Sequence, residues 1–173
     1  MTKIFGIAGF SGSGKTTLML KLIPVLAGLG LKITSIKHTH HKARMDREGD
    51  LGFAERKAGA IESIVGNSKA FLRIEDYKEP HEASLPEIIR RVGDADLVLI
   101  EGFKHYPHPK LEIHRPIVGK PTLFPEDRHI LAVASDEKFE NLPIPFFDLD
   151  DIEAIAAFVL ANALAIEDIS MNS

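Results

Sequence analysis

Short apolar runs alternate with helical patterns along this chain. KIFGIA (3–8) and DLVLIEG (96–102) are nearly unbroken apolar stretches, the pattern of strands covered on both faces. KITSIK (32–37), HILAVAS (129–135) and IPFF (144–147) read as further strands. Between the first two strands, Leu18, Leu22, Val25 and Leu26 recur on one side of a helix predicted from Lys15 to Ala27, and Gly28 and Gly30 stop it. A short helix is predicted over Phe53–Ala58. Another opens at SLPE (84–87), where Ser84 and Glu87 form a capping box, and ends near Gly93. Asp150 with Glu153 caps the last helix in the same way. ESIVG (62–66) and KAFLRI (69–74), joined by a Gly-Asn turn, read as a hairpin, and residues 38–52 as a long polar loop. This order predicts an α/β fold: a mainly parallel central sheet between helical layers, in a single domain covering 1–173.

One segment breaks the rhythm. Residues 105–125 hold five prolines around a strand-like KLEIHR (110–115). The expectation is an extended insertion, paired at a sheet edge or serving as a dimerisation arm. The plainer alternative is a loop with one short strand.

Composition narrows the function classes. At 45% hydrophobic and 27% charged, 173 residues bury a substantial core. A net charge of −4 gives no global basic field for nucleic acid or an anionic membrane, so any phosphate binding is local. The absence of cysteine excludes disulfides, cysteine-ligated zinc and a thiol nucleophile. The amino-terminal run is broken by glycines without a signal-peptide pattern, and AIAAFVLANALAI (154–166) is too short to span a bilayer. The expected location is cytoplasmic.

The strongest chemical signal is GFSGSGKT (9–16), which matches G-x-x-x-x-G-K-[ST] between a predicted strand and a predicted helix. Gly9, Gly12 and Gly14 let backbone N–H groups turn inward around an oxyanion, with Ser13 between them and Thr17 following. The helix start adds its positive dipole end. Lys15 is placed to bridge β- and γ-phosphates, and the Thr16 hydroxyl to ligate Mg²⁺. A P-loop needs an acidic group at a neighbouring strand end. Glu101 closes DLVLIEG and suits a water-mediated Mg²⁺ contact or the positioning of a water. The expected class is therefore a three-layer P-loop NTPase.

Five stretches then coincide: GFSGSGKTT, IKHTHH after the second strand, ERKAGA (55–60), LIEGFK (99–104) and PKLEIHR (109–115). With this spacing, nearly the whole chain resembles the molybdopterin-guanine dinucleotide biosynthesis adapter (MobB) family. The resemblance implies a GTP-binding homodimer that assists the guanylyltransferase attaching GMP to molybdopterin, and a weak GTPase at most. It carries over Gly9, Gly14, Lys15 and Thr16 to the nucleotide loop and Glu101 with Gly102 to the second motif. Lys37 and His38 match the Lys-His step that ends the second strand. Asp46 and Gly49 match the start of the family's D-x-x-G-x-D segment, which makes Asp46 a further Mg²⁺ candidate. Its second aspartate position is Leu51 here, with Asp50 one residue earlier.

The N-K-x-D base-reading motif is absent. ASDEKF (134–139) offers Asp136, either as an acceptor for guanine N1–H and N2–H₂ or as a plain loop carboxylate. KHTHHK (37–42) lies at the carboxyl end of its strand. There Lys37 and His38 can meet an anion, a γ-phosphate or the phosphate of a molybdopterin substrate, while His40 and His41 read as polar loop residues. Two other readings share this fold: a small-molecule kinase or ATP-dependent ligase, and a metal-loading GTPase suggested by the eight histidines. Missing cysteine and flanking lysines, which repel a cation, count against the last. Arg44, Arg47 and Arg56 lie near the polar loop without a spacing that marks an arginine finger.

Overall fold

The runs KIFGIA and DLVLIEG become neighbouring strands in a parallel sheet. The computed structural model describes residues 1–39, 47–77, 79, 81–139 and 141–168. His40, His41, Arg44 and Asp46 lie outside the described residues. The chain divides into two compact units, Met1–His38 with Leu85–Ser173, and Thr39–Ser84.

In the first unit, β1 (Lys3–Ala8) pairs in parallel with β5 (Leu97–Glu101) on one side and β6 (Lys110–His114) on the other. β2 (Ile33–Lys37) lies outside β5, and β7 (Ile130–Ser135) and β8 (Phe146–Asp148) lie outside β6. The parallel order is therefore β2-β5-β1-β6-β7-β8. β9 (Leu164–Ala165) pairs antiparallel with Lys3 and Ile4, below the point where β6 meets Gly6.

α1 (Lys15–Gly28) and α4 (Ile152–Asn162) cover one face, packing Leu22, Leu26, Ile155 and Val159 against Phe5, Leu99, Leu111 and Ala134. α3 (Leu85–Ile89) covers part of the other, with Leu85 and Ile89 on Ile4, Ile36, Val98 and Ile100. Every residue of β5 is buried because both its faces are covered. The result is the expected three-layer α/β architecture with a mostly parallel sheet, consistent with a P-loop NTPase-like fold.

Two expectations are corrected. KLEIHR is not an edge strand: β6 lies inside the sheet, between β1 and β7. Its polar residues misled because their partners are distant in sequence. Lys110 Nζ donates to Tyr106 O at 2.7 Å and pairs with Asp127 at 2.9 Å. Glu112 accepts the backbone N–H groups of Leu123 and Phe124 at 2.7 and 2.9 Å. Both side chains are fully buried, and burial pushes the Lys110 pKa down and the Glu112 pKa up. The second correction concerns the last helix. Its cap is Asp151, which accepts from Ala154 N at 3.1 Å, while Asp150 pairs with Lys21 at 2.7 Å. In DLDDIE, only backbone geometry chooses among adjacent aspartates.

The second unit holds α2 (Phe53–Lys57) and an antiparallel hairpin of β3 (Glu62–Gly66) and β4 (Phe71–Glu75). The buried Arg56 ties it together, donating to Gly52 O at 3.0 Å, to the Ser63 hydroxyl and to Asp76 at 3.1 Å.

Candidate functional site

The carboxyl ends of β1, β2 and β5 put the predicted chemistry in one place. β1 ends at Ala8 and the glycine loop follows. Gly9 sits so close to β6 that a side chain there would meet Ile113 O at 2.5 Å and Ser13 Oγ at 2.7 Å. Gly12 and Gly14 have φ of 84° and 97°, as an inward-turned loop requires. Gly14 caps α1 without a side-chain hydrogen bond, and the first helical bond runs from Leu18 N to Gly14 O at 2.9 Å. The N–H groups of Lys15, Thr16 and Thr17 are therefore first-turn donors with no intrahelical acceptor. Thr17 itself is exposed.

Ser13 is buried, and its Oγ has no hydrogen-bond partner among the described residues. Such an orphaned hydroxyl is costly unless a ligand or solvent meets it. Lys15 Nζ donates to Gly9 O at 2.9 Å and Phe10 O at 2.8 Å. Burial lowers its pKa, the Glu101 carboxylate opposes this, and the charges of Lys37 and Lys104 lower it further.

Thr16, Glu101 and Lys37 converge. The Thr16 hydroxyl lies 2.9 and 3.0 Å from the two Glu101 oxygens. Lys37 Nζ donates to Thr16 Oγ1 at 2.9 Å and lies 3.2 Å from Glu101 Oε1. The strand register explains it, since Lys37 is the partner of Glu101 across β2 and β5. His38 follows, its backbone N–H bonded to Glu101 O at 2.9 Å, and its ring stacks on Phe103 at 4.1 Å between centroids. Gly102 has φ 107°, and a Cβ there would stand 2.9 Å from His38 Cβ.

The donor set fits a nucleotide phosphate group and Mg²⁺. Backbone donors, an orphaned hydroxyl and a lysine face the loop, and a hydroxyl and a carboxylate, both hard oxygen donors, stand beside it. Asp136 follows β7, where Arg115 Nε donates to its Oδ2 at 2.7 Å. In the second unit, Asp50 accepts from Arg47 N at 3.0 Å. No group of three or more His, Cys, Asp or Glu placed to hold a metal occurs among the described residues. Sequence reasoning missed Arg115 as the partner of Asp136, and Lys104, whose Nζ lies 5.6 Å from the Phe10 ring centroid. Lys104 stands within LIEGFK, directly after the acidic strand end, and that adjacency was its available signal.

The family model for molybdopterin guanine dinucleotide synthesis protein B (MobB) matches residues 4–136. The chain belongs to this family. The matched region of this MobB-family chain begins in β1, contains the glycine loop, the Lys37-His38 step, Glu101 and β6, and ends on Asp136. The molybdopterin-guanine dinucleotide biosynthesis adapter protein of Escherichia coli K12 is 37% identical over 163 residues, 92% of this chain and 93% of that protein. The adapter of the same name from Haemophilus influenzae is 37% identical over 90% of this chain and 86% of its own length. The crystal structure of molybdopterin-guanine biosynthesis protein B is 28% identical and superposes with a TM-score of 0.71, covering 91% of this chain and 98% of its own. Bacillus subtilis MobB, at 24% identity and a TM-score of 0.71 over 94% and 99% of the two chains, shares the fold.

Proposed function

We propose that this MobB-family chain is a GTP-binding adapter in molybdopterin-guanine dinucleotide biosynthesis, assisting the guanylyltransferase that attaches GMP to molybdopterin. The relatives that match nearly its full length carry the adapter name. The observation that carries the nucleotide part is the convergence of Thr16, Glu101 and Lys37 beside a glycine loop with uncapped first-turn donors.

In this reading the loop N–H groups and Ser13 hold the β-phosphate, and Lys15 leaves the loop carbonyls to bridge β and γ. Thr16 and Glu101 would hold Mg²⁺, which would neutralise charge on the phosphate oxygens. Lys37 occupies the corner between hydroxyl and carboxylate and yields it by swinging toward the γ-phosphate. Asp136, oriented by Arg115, keeps Oδ1 for a guanine N–H.

Hydrolysis by the chain alone is slow. Transition-state charge is usually met by an arginine finger worth ~10³–10⁵ in rate. Arg56 is spent on Gly52, Ser63 and Asp76, and Arg47 pairs with Asp50. The protein acts as a homodimer in the cytoplasm. Ile64 and Phe71, exposed on one face of the β3-β4 hairpin, supply apolar surface for a second copy. No described helix is long and apolar enough to cross a membrane.

Titration of GTP and ATP with and without Mg²⁺, repeated with a candidate guanylyltransferase present, tests the proposal. Lys15→Ala removes charge-assisted bonds of ~1.5–3 kcal/mol and should weaken GTP binding at least about tenfold. Unchanged affinity in that variant would sink the nucleotide assignment. Turnover of GTP alone above about 1 s⁻¹ would contradict the adapter reading.

A further inference from the structure

We propose that Lys104 contacts the outermost phosphate of a nucleoside triphosphate, delivered to the glycine loop by a strained turn after Glu101. The proposal rests on the nucleotide reading above and adds to it a residue that distinguishes triphosphate from diphosphate.

The turn is unusual. Gly102 and Phe103 have consecutive positive φ values of 107° and 48°. A bulky residue rarely adopts such a conformation, because its Cβ crowds the backbone. Packing enforces it here. Phe103 is 7% exposed, stacks on His38 with an interplanar angle of 28°, and meets the Tyr106 ring edge-on at 5.4 Å. Gly102 cannot carry a side chain without striking His38. Strain held in place by surrounding packing points to a purpose at the residue it delivers.

That residue is Lys104. The turn brings the chain back toward the glycine loop, with the Lys104 ammonium over the face of Phe10. Phe10 is the residue whose carbonyl accepts from Lys15 Nζ at 2.8 Å. Two lysines therefore share one loop residue at different depths: Lys15 is partly buried and Lys104 is exposed. The deeper cation reaches the phosphates cradled by the loop, and the outer one is left for the phosphate furthest from the base. A cation-π contact alone would not require this turn, since an unstrained loop supplies one equally well.

The charge balance agrees. Among the described residues, Lys15, Lys37 and Lys104 stand against the carboxylate of Glu101, which lies 3.2 Å from Lys37. Lys37 and Lys104 lie close enough to repel the Lys15 charge, and an anion with more than one negative charge relieves that repulsion. A terminal phosphate supplies that charge.

The test is titration of a non-hydrolysable GTP analogue and of GDP, with Mg²⁺, into the wild-type chain, Lys104→Gln and Lys104→Arg. Lys104→Gln should weaken the triphosphate about tenfold and GDP less than about twofold, the scale of one charge-assisted bond. Lys104→Arg should keep most of the triphosphate affinity. Equal losses for both nucleotides, or none for either, would overturn the proposal. So would competition by inorganic phosphate that disappears in Lys104→Gln while triphosphate affinity stays, because the residue would then serve a free phosphate. A wild-type chain that binds neither nucleotide refutes the nucleotide reading itself, a result distinct from selective failure at Lys104.

Discussion

Lowering the pH from 7 to 5 should weaken folding through one imidazole, His108. It is fully buried beneath β1, where a side chain at Gly6 would lie 2.4 Å from its Nε2. Neither ring nitrogen has a hydrogen-bond partner among the described residues. Burial, with the Lys110 ammonium beside it, pushes its pKa from 6.5 down to about 3, while Asp127 pulls the other way and His129 adds a small downward push. In the unfolded chain the imidazole takes a proton below about pH 6.5, but in the folded chain it stays neutral until about pH 3. Its contribution is therefore fully present above the unfolded value and is lost as pH falls toward the folded one. The slope approaches ~1.4 kcal/mol per pH unit, so the step from pH 7 to pH 5 costs about 2 kcal/mol.

Two neighbours titrate as well. Burial raises the Glu112 pKa, which favours folding on acidification. Asp127 feels the same burial, but its bonds from Lys110 and His129 outweigh it and hold its pKa low, which disfavours folding in acid. A difference measurement isolates His108. Denaturant unfolding of the wild type and His108→Leu at pH 7, 6 and 5 should show the variant losing about 2 kcal/mol less over the range. His108→Gln, polar but not titratable, should show the same flattened profile even if it is less stable throughout. Parallel pH profiles for wild type and both variants would refute the reasoning.

Two further changes address the site directly. Gly102→Ala places a Cβ 2.9 Å from His38 Cβ and 3.0 Å from His38 O at a φ of 107°, and should destabilise the fold by about 1–3 kcal/mol in denaturant unfolding. Wild-type stability would show that the turn relaxes at little cost. Asp136→Asn should erode the preference for GTP over ATP while costing about 0–1 kcal/mol of stability, since its ion pair with Arg115 is half-exposed. Equal discrimination by the variant would remove Asp136 from the base site.

The legible parts of this molecule were those whose partners are near in sequence or whose pattern is uniform. KIFGIA and DLVLIEG announced interior strands because Ile4–Ala8 and Leu97–Glu101 are buried throughout, with only the entering Lys3 and Asp96 exposed. The glycine loop was legible because its chemistry is written in adjacent residues. β6 was not: Lys110, Glu112 and His114 alternate with Leu111 and Ile113, the pattern of a half-solvated edge. Lys110 and Glu112 are buried instead, satisfied by Tyr106, Asp127 and the N–H groups of Leu123 and Phe124, and no local pattern reveals such pairings. The two-residue β9 is too short to leave a periodicity. At the site, the meeting of Thr16 with Glu101 followed from strand ends alone. The reach of Lys37 into the same corner depended on the register of β2 against β5, and the return of Lys104 on two backbone angles.

The pairing of β1 also bears on how the chain comes together during synthesis. Residues 3–8 are made well before their partners, since no described strand that flanks β1 begins before Leu97, and β9 joins it only at Leu164. Every sheet contact that aims the glycine loop is thus long-range, and such contacts close late because the intervening chain must surrender its freedom first. The β3-β4 hairpin, by contrast, is finished by Glu75. On the ribosome, the hairpin can take shape while the loop-bearing strand still waits for its neighbours. The glycine loop, encoded before every strand that flanks β1, is among the last parts to acquire its geometry.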